Sequence, residues 1–220
     1  RQGKVEAFSL VTPRGTDRWR VAVMGARLAA RGTGIAPRLL DETMSAAQSR
    51  GLRSVELEVF AQNERAFRLY QSRGMKPATD LHGFEAPAGR PGANIAVTAV
   101  THQAAARRAS EIEGSTVKAL PWQVCGDAIL RMPGVPHCWQ HETAQVVFTE
   151  LTGLVQVLSL LDSSPDYRSA AALLGALRVT HAEAVLRAPQ LQAEHGPAQA
   201  FRSAGWVQAP LYQHLMVRTF

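Results

Sequence analysis

The sequence predicts an α/β fold, a mixed sheet flanked by helices, arranged as two consecutive domains. Three observations lead to this prediction. The chain has 220 residues, enough for one large domain or two small ones. Hydrophobic residues make up 46% of the chain and charged residues 19%, which is a globular composition. Strand-like and helix-like segments follow in the order β-β-α-β-α, and the second half repeats that order.

The first half begins with a predicted hairpin. Residues 5–11 and 18–27 are strand-like, and the segment between them contains Pro13, Gly15 and Asp17, which favour chain reversal. A helix of about four turns is predicted from Pro37 to the residue before Gly51, because proline suits a first helical turn and glycine a helix end.

A strand and a second helix follow. In residues 54–60 an apolar face alternates with a face that carries Glu56, Glu58 and Phe60. Asn63 is predicted to cap a helix that runs through Tyr70, and the end of this helix is marked by Gly74. The first half is therefore read as β-β-α-β-α.

The domain boundary is predicted near residue 100. Pro87, Gly89, Pro91 and Gly92 indicate a break, and a strand is predicted at 94–100, so the expected domains are 1–100 and 101–220. Beyond the boundary a helical segment precedes strands at 145–148 and 154–161, a helix at 167–177, a strand at 182–186, a helix at 197–204 and a strand at 212–217.

The two halves can be superposed on the glycine that ends the last helix of each. Gly205 then corresponds to Gly74, Glu194 to Asn63, and Phe201 to Tyr70. The order of elements is kept while the polar residues differ. The sequence therefore predicts an internal repeat.

The two halves of the chain differ in net charge. Residues 1–100 hold 15 basic and 9 acidic side chains, whereas residues 101–220 hold 9 of each. This asymmetry indicates an anionic partner for the first half, such as a nucleic acid, an anionic membrane surface or a phosphorylated cofactor. Nucleic acid is not expected, because no binding motif and no aromatic interleaving accompany the basic residues.

Other patterns narrow the class of protein. The longest apolar stretch, residues 144–161, is interrupted by polar side chains, so no membrane span or membrane partner is expected. No signal peptide is visible, and a cytoplasmic location is the expectation. The group Cys125, His137, Cys138 and His141 lacks the paired spacing of closed zinc sites, so no metal site is predicted.

The loop at residues 31–36, Arg-Gly-Thr-Gly-Ile-Ala, carries the strongest chemical signal. It joins a strand to a helix, and its glycines let backbone N–H groups turn toward an anion at the positive end of the helix dipole. Two phosphate-binding loops do not fit. A Walker loop needs a lysine, and none occurs between Lys4 and Lys76. A dinucleotide loop needs an acidic residue about 20 positions on, where Leu52 and Arg53 stand.

The loop and the residues after it resemble the GNAT superfamily of N-acetyltransferases. Arg31-x-x-Gly34-x-Ala36 satisfies the signature of that superfamily, and Asn63, Tyr70 and Gly74 follow in the expected order and spacing. The resemblance covers about residues 18–80. It implies an enzyme that transfers an acetyl group from acetyl-CoA to a primary amine by direct attack in a ternary complex.

The resemblance implies a role for each site residue. The backbone of Arg31, Gly32, Thr33, Gly34, Ile35 and Ala36 would hold the pyrophosphate of coenzyme A, and Met24, Gly25 and Ala26 would run beside the pantetheine arm. Asn63 would contact that arm, and Arg73 could meet the terminal phosphate. Tyr70 would protonate the departing thiolate. Glu58 is the candidate base for the amine, with Glu56 as the alternative.

The resemblance is incomplete in two respects. The superfamily has about another strand and two helices before the first strand recognised here. The first domain would therefore lack its N-terminal elements in this chain, or the second half would substitute for them. The second half has the order of the fold without its site: residues 164–170 contain no glycine, and Asp166 stands where a phosphate would lie. We expect a degenerate GNAT-like domain that closes the acceptor cleft or forms a homodimer contact. A non-catalytic CoA-binding or scaffolding protein is the alternative function, and the acceptor, a small molecule or a peptide, stays open.

Overall fold

The computed structural model describes residues 3–89, 92, 94–115 and 119–220. The chain divides into two compact units. Unit 1 comprises Arg1–Ala78 and His214–Phe220, and unit 2 comprises Thr79–Gln213. These units do not coincide with the predicted domains 1–100 and 101–220, because the chain leaves unit 1 within a long strand that sequence reading missed and returns to it within the last strand. The domain assignment itself stays a prediction.

Unit 1 is built on the hairpin of β1 (Ala7–Arg14) and β2 (Arg18–Ala26), followed by α1 (Ile35–Ser49), β3 (Ser54–Phe60) and α2 (Glu64–Gln71). The strand order is β1-β2-β3, and β3 is followed by β10 (Val207–Thr219), whose last residues belong to this unit. The predicted hairpin and β3 are confirmed. The first helix begins two residues before Pro37, and Asn63 caps α2 as predicted, its Oδ1 accepting from the Ala66 N–H at 3.2 Å.

The core of unit 1 lies between one face of this sheet and the two helices. Val21, Leu57 and Val59 from the strands pack with Leu40 and Met44 of α1. Met216, from the far end of the chain, is fully buried in the same cluster. The backbone N–H of Phe220 donates to Arg53 O at 3.0 Å. Unit 1 is therefore completed by residues that follow unit 2 in the sequence.

Unit 2 starts within β4 (Lys76–Ala86) and continues through β5 (Thr98–Ala99), α3 (His102–Ser115), α4 (Gly126–Leu130), β6 (His137–His141), β7 (Ala144–Leu151), β8 (Leu154–Asp162), α5 (Arg168–Thr180), β9 (Val185–Ala193) and α6 (Pro197–Ser203). Its strand order is β4-β9-β8-β7-β6-β5. Its core includes Phe84, Phe148, Leu173 and Phe201.

Several predictions for unit 2 are wrong. The strand expected at 94–100 shrinks to the two residues of β5, and β4, α4 and β6 were not predicted. The strand expected at 182–186 begins only at Val185 and runs to Ala193. Of the break predicted at 87–93, Arg90, Pro91 and Ala93 lie outside the described residues.

The order of elements repeats between the units. In the first part of the chain the order is β1-β2-α1-β3-α2-β4, and in the second part it is β7-β8-α5-β9-α6-β10. In both runs the first two strands pair antiparallel, and the second and third pair parallel over only three residues. The predicted recurrence of elements is thus present in the structure.

Candidate functional site

Strands β2 and β3 separate partway along their length. They pair in parallel at Arg18↔Ser54, Trp19↔Val55 and Arg20↔Glu56, although β2 continues to Ala26 and β3 to Phe60. A bulge at Ala22 accompanies the separation, since Leu10 pairs with Val23 while Val11 pairs with Val21. The sheet is therefore open between the ends of these two strands.

A glycine loop lies between the end of β2 and α1. Gly32 and Gly34 have φ angles of +84° and +83°, which side chains strongly disfavour, and Thr33 Oγ1 donates to Ala30 O at 2.8 Å. No side chain caps the N-terminus of α1. The first amides of that helix are thus available to an anion, which the helix dipole also favours.

A cavity of about 690 Å³ connects the loop, the end of β2 and α2. Its described lining includes four arginines and no carboxylate: Arg31, Arg65, Arg68 and Arg73. A cavity of this size fits a cofactor-sized ligand, and its charge favours an anionic one. A phosphate group suits both the positive charge of the lining and the open N-terminus of α1.

Two of the four arginines already form ion pairs. Arg73 Nε donates to Asp41 Oδ1 at 3.0 Å, and Arg68 Nη1 donates to Glu64 Oε2 at 2.9 Å. Among the described residues, Arg31 and Arg65 have no carboxylate partner. The cavity keeps an excess of positive charge even after these pairs are counted.

Tyr70 is half-buried on α2 at the wall of this cavity. Burial raises the pKa of its phenol above the ordinary value of 10.0. The hydroxyl therefore stays protonated at neutral pH and can donate a proton to a developing anion. This is the state that a general acid requires.

Most of the residues predicted from the sequence do meet at this cavity. Those that line it are Met24, Gly25, Ala26, Arg31, Gly32, Gly34, Ile35, Ala36, Asn63, Tyr70 and Arg73. Thr33 and Glu58 are not part of the lining. Thr33 instead closes the loop through its bond to Ala30, and its predicted cofactor contact stays a prediction.

Glu58 and Glu56 lie on the face of β3 opposite the core, and both are held by arginines. Arg20 Nε donates to both carboxylate oxygens of Glu58, at 3.0 and 2.9 Å. Arg14 Nη1 pairs with Glu56 Oε1 at 2.5 Å. Burial raises the pKa of Glu56, although the Arg14 guanidinium opposes this effect. The prediction placed both glutamates on a shared face, which is confirmed, but their arginine partners were missed.

Sequence reasoning also missed Arg65, Arg68, Leu69 and Ser72, which line the cavity from α2. A signal was present, because these residues recur at three- and four-residue spacing around Asn63 and Tyr70, so helix geometry places several of them on one side. The pattern could have been found once Tyr70 was assigned to the site.

In unit 2 the corresponding loop is organised differently. α5 begins after Tyr167, which has a φ of +53° at the position that Gly34 holds before α1. Asp162 Oδ2 accepts from the Ala170 N–H at 3.0 Å, and Asp166 Oδ1 accepts from the Arg168 N–H at 3.2 Å. A Cβ added to Gly196 would lie 2.5 Å from the Tyr167 hydroxyl. The chain's own carboxylates and a tyrosine thus occupy the start of this helix and the space beside it.

Two further features bear on function. None of the described helices is long and apolar enough to cross a membrane. Within the described residues, no group of three or more His, Cys, Asp or Glu side chains is arranged to hold a metal ion.

The first half of the chain matches a known family. Residues 2–75 match the model of the acetyltransferase (GNAT) family. No curated protein sequence matches the chain. The family match covers the segment that holds the glycine loop, Asn63 and Tyr70.

Solved structures with a similar fold cover nearly the whole chain. A putative acetyltransferase from Pyrococcus horikoshii matches 98% of this chain and 70% of its own, with a TM-score of 0.65 and 12% identity. A GCN5-related N-acetyltransferase from Sphaerobacter thermophilus matches 99% and 78%, with a TM-score of 0.61 and 17% identity. A GCN5-related N-acetyltransferase from Kribbella flavida matches 99% of this chain but 57% of its own, with a TM-score of 0.63 and 18% identity.

At these identities the structural matches establish the fold alone. The family match falls on the segment that forms the cavity. The chain is an α/β protein with a GNAT-like fold, and its residues 2–75 resemble the GNAT acetyltransferase family.

Proposed function

We propose that unit 1 transfers an acetyl group from acetyl-CoA to a primary amine, and that the two meet in a ternary complex. The observation that carries this proposal is the cavity of about 690 Å³, which has an uncapped helix N-terminus and four arginines but no carboxylate among its described lining residues. Coenzyme A carries phosphates that match this charge. The amine acceptor is a small molecule or a peptide.

The cofactor would lie along the elements that line the cavity. The backbone of the loop from Arg31 to Ala36 would hold the pyrophosphate, and Met24, Gly25 and Ala26 would run beside the pantetheine arm. Asn63 would contact this arm, and Arg73 would meet the terminal phosphate. The thioester would then lie where β2 and β3 have separated, because the end of β2 and Tyr70 belong to the same cavity.

Two protons must leave the ammonium form of the acceptor. Glu58 accepts the first, directly or through water, and the neutral nitrogen attacks the thioester carbonyl. The carbon–sulfur bond then breaks, and Tyr70 donates its proton to the sulfur. The second nitrogen proton restores the tyrosine hydroxyl. Glu56 is the alternative base, since it lies on the same face of β3.

Unit 2 is proposed to be a degenerate copy of the same fold, so that the chain has a tandem architecture. The repeated order of elements supports the duplication. Asp162 and Asp166 bond to amides at the start of α5, and a phosphate there would meet their negative charge. Tyr167 lies against Gly196. One cofactor per chain is therefore expected.

Acetyl transfer is tested by measuring the release of the CoA thiol when the chain is mixed with acetyl-CoA and a panel of amines. Wild-type chain should release thiol in proportion to acetylated amine, as identified by mass spectrometry. Tyr70→Phe should bind acetyl-CoA with unchanged affinity and lose most of its turnover. If wild-type chain binds acetyl-CoA but acetylates no amine in the panel, the alternative of a CoA-binding or scaffolding protein replaces the proposal.

A further inference from the structure

A buried ion pair stands at the point where β2 and β3 separate. Arg20 belongs to the last residue pair that the two strands share, Arg20↔Glu56, and Glu58 lies two residues further along β3. Because side chains alternate along a strand, Glu58 lies on the face opposite Leu57 and Val59, which pack in the core with the helices. The pair therefore bridges the two strands at the closed end of the opening.

The contact between Arg20 and Glu58 is a fork. The Nε atom donates to Oε1 at 3.0 Å and to Oε2 at 2.9 Å, and Nη2 donates to Oε2 at 2.5 Å. The side chains are only 11% and 4% exposed. A fork of this kind fixes the orientation of a carboxylate as well as its charge.

The fork leaves acceptor capacity on Glu58. A carboxylate has about four lone-pair sites, whereas Arg20 brings two N–H groups to it: the Nε–H is shared between the two oxygens, and an Nη2–H points to Oε2 alone. Oε1 therefore receives only the shared contact. A proton or N–H donor can be accepted at this atom, whose position Arg20 determines.

Without its cation, the carboxylate would be costly to keep charged in this position. Removing one partner of a buried ion pair leaves a buried charge without compensation, so the carboxylate rearranges. This rearrangement displaces the acceptor for the proton of the amine. Arg20 is thus linked to the reaction through Glu58, without touching the cofactor or the amine.

We propose that Arg20 is a positioning residue for acetyl transfer: it holds the Glu58 carboxylate, with acceptor capacity left on Oε1, at the closed end of the opening between β2 and β3. This inference rests on the proposed function of unit 1 and on Glu58 as its base. In the step concerned, the N–H bond of the ammonium breaks, its proton forms an O–H bond at Oε1, and the electron pair stays on nitrogen for the attack on the thioester.

The neighbouring pair provides a matched control. Arg14 and Glu56 form a second buried ion pair on the same face, in the part of the sheet where β2 and β3 are still paired. Arg14→Gln removes a buried guanidinium as Arg20→Gln does, and it leaves the pair at the opening intact. A loss of activity that follows only from a weakened fold should appear in both variants.

The test measures kcat, KM for an acetylated amine, the pH–rate profile and the affinity for acetyl-CoA in wild-type chain, Arg20→Gln, Arg20→Lys, Arg14→Gln, Glu58→Gln and the double variant Arg20→Gln/Glu58→Gln. We expect Arg20→Gln and Glu58→Gln each to lower kcat about 100-fold. The double variant should be no slower than Glu58→Gln, because both changes disable the same positioned proton acceptor. Arg20→Lys should recover part of the rate, and acetyl-CoA affinity should be unchanged.

Three results would overturn the inference, and they are distinguishable from failure of the proposed function. Arg20→Gln with wild-type turnover, an additive loss in the double variant, or an equal loss in Arg14→Gln each shows that Arg20 does not act through Glu58. If Glu58→Gln keeps wild-type turnover, Glu58 is not the base, and the inference fails. A wild-type chain that binds acetyl-CoA and acetylates no amine overturns both the function and the inference.

Discussion

Replacing Gly34 by alanine should weaken acetyl-CoA binding, and the chain contains its own control. Gly34 precedes α1 with a φ of +83°, and Gly51 follows the same helix with a φ of +70°. A Cβ would meet nothing within 4 Å at either position. Both alanine variants therefore carry the same backbone penalty, about 1–2 kcal/mol for a left-handed non-glycine residue. Of these two glycines, Gly34 lines the cavity and Gly51 does not.

The expected magnitude follows from the amides that Gly34 arranges. To relieve the strain, the loop must leave the left-handed conformation, and its N–H groups then turn away from the phosphate. A hydrogen bond to a charged group contributes about 1.5–3 kcal/mol, so the loss of one such bond raises Kd at least about 10-fold. Isothermal titration with acetyl-CoA should show this increase for Gly34→Ala and a wild-type Kd for Gly51→Ala. Equal affinities in the two variants would refute the assignment of the loop as a phosphate cradle.

Three other predictions concern the acid, the chain terminus and a buried histidine. Tyr70→Phe should lower kcat about 100-fold at unchanged acetyl-CoA affinity. Since burial raises the pKa of Tyr70 above 10.0, a decline of wild-type turnover through loss of this proton should have its midpoint above pH 10; stopped-flow rates against pH check this point. Met216→Ala, at a fully buried position, should destabilise unit 1 by about 2–5 kcal/mol, seen as faster hydrogen exchange in α1 and β3 peptides; unchanged exchange would contradict the role of the C-terminus. His82 donates from Nε2 to Glu194 and accepts at Nδ1 from Gln208. Burial lowers the pKa of His82, and the charge of Arg202 lowers it further, whereas the charges of Glu194 and Asp80 oppose this shift. The folded state therefore resists protonation, so stability should be fully present above the unfolded pKa of about 6.5 and fall as the pH drops through it; His82→Asn should reduce the difference in urea midpoint between pH 7.5 and 5.5, and an undiminished difference would exclude His82 as its source.

Local signals predicted the cavity-forming segment well. The bounds of β3 follow from the alternation of apolar and polar residues, and the Asn63 cap follows from a hydrogen bond to the N–H three residues later. Residues that are close in the sequence therefore determine both features. The glycine loop was equally accessible, because two left-handed positions before a helix require glycine. The resemblance to a known superfamily then supplied the identities of most of the lining residues.

The features that sequence analysis missed depend on pairing between residues that are far apart in the sequence. β4 contains Pro77 and Gly83 and lacks strict alternation. It is a strand because residues 81–86 pair with β9, 100 or more positions later. The insertion of residues 214–220 into unit 1 likewise has no local signature. For the same reason Glu58 could be named from β3 alone, whereas its partner Arg20 is set by the parallel register of two strands.

The central claim is that unit 1 holds the cofactor and unit 2 does not. Calorimetric titration of the purified chain with acetyl-CoA tests it most directly, and the number of sites is read before the affinity. The account predicts one site per chain, with a Kd that Gly34→Ala raises at least about 10-fold and that Tyr70→Phe leaves unchanged. Two sites per chain would contradict the assignment of unit 2 as degenerate, and no binding by wild-type chain would contradict the assignment of the cavity itself.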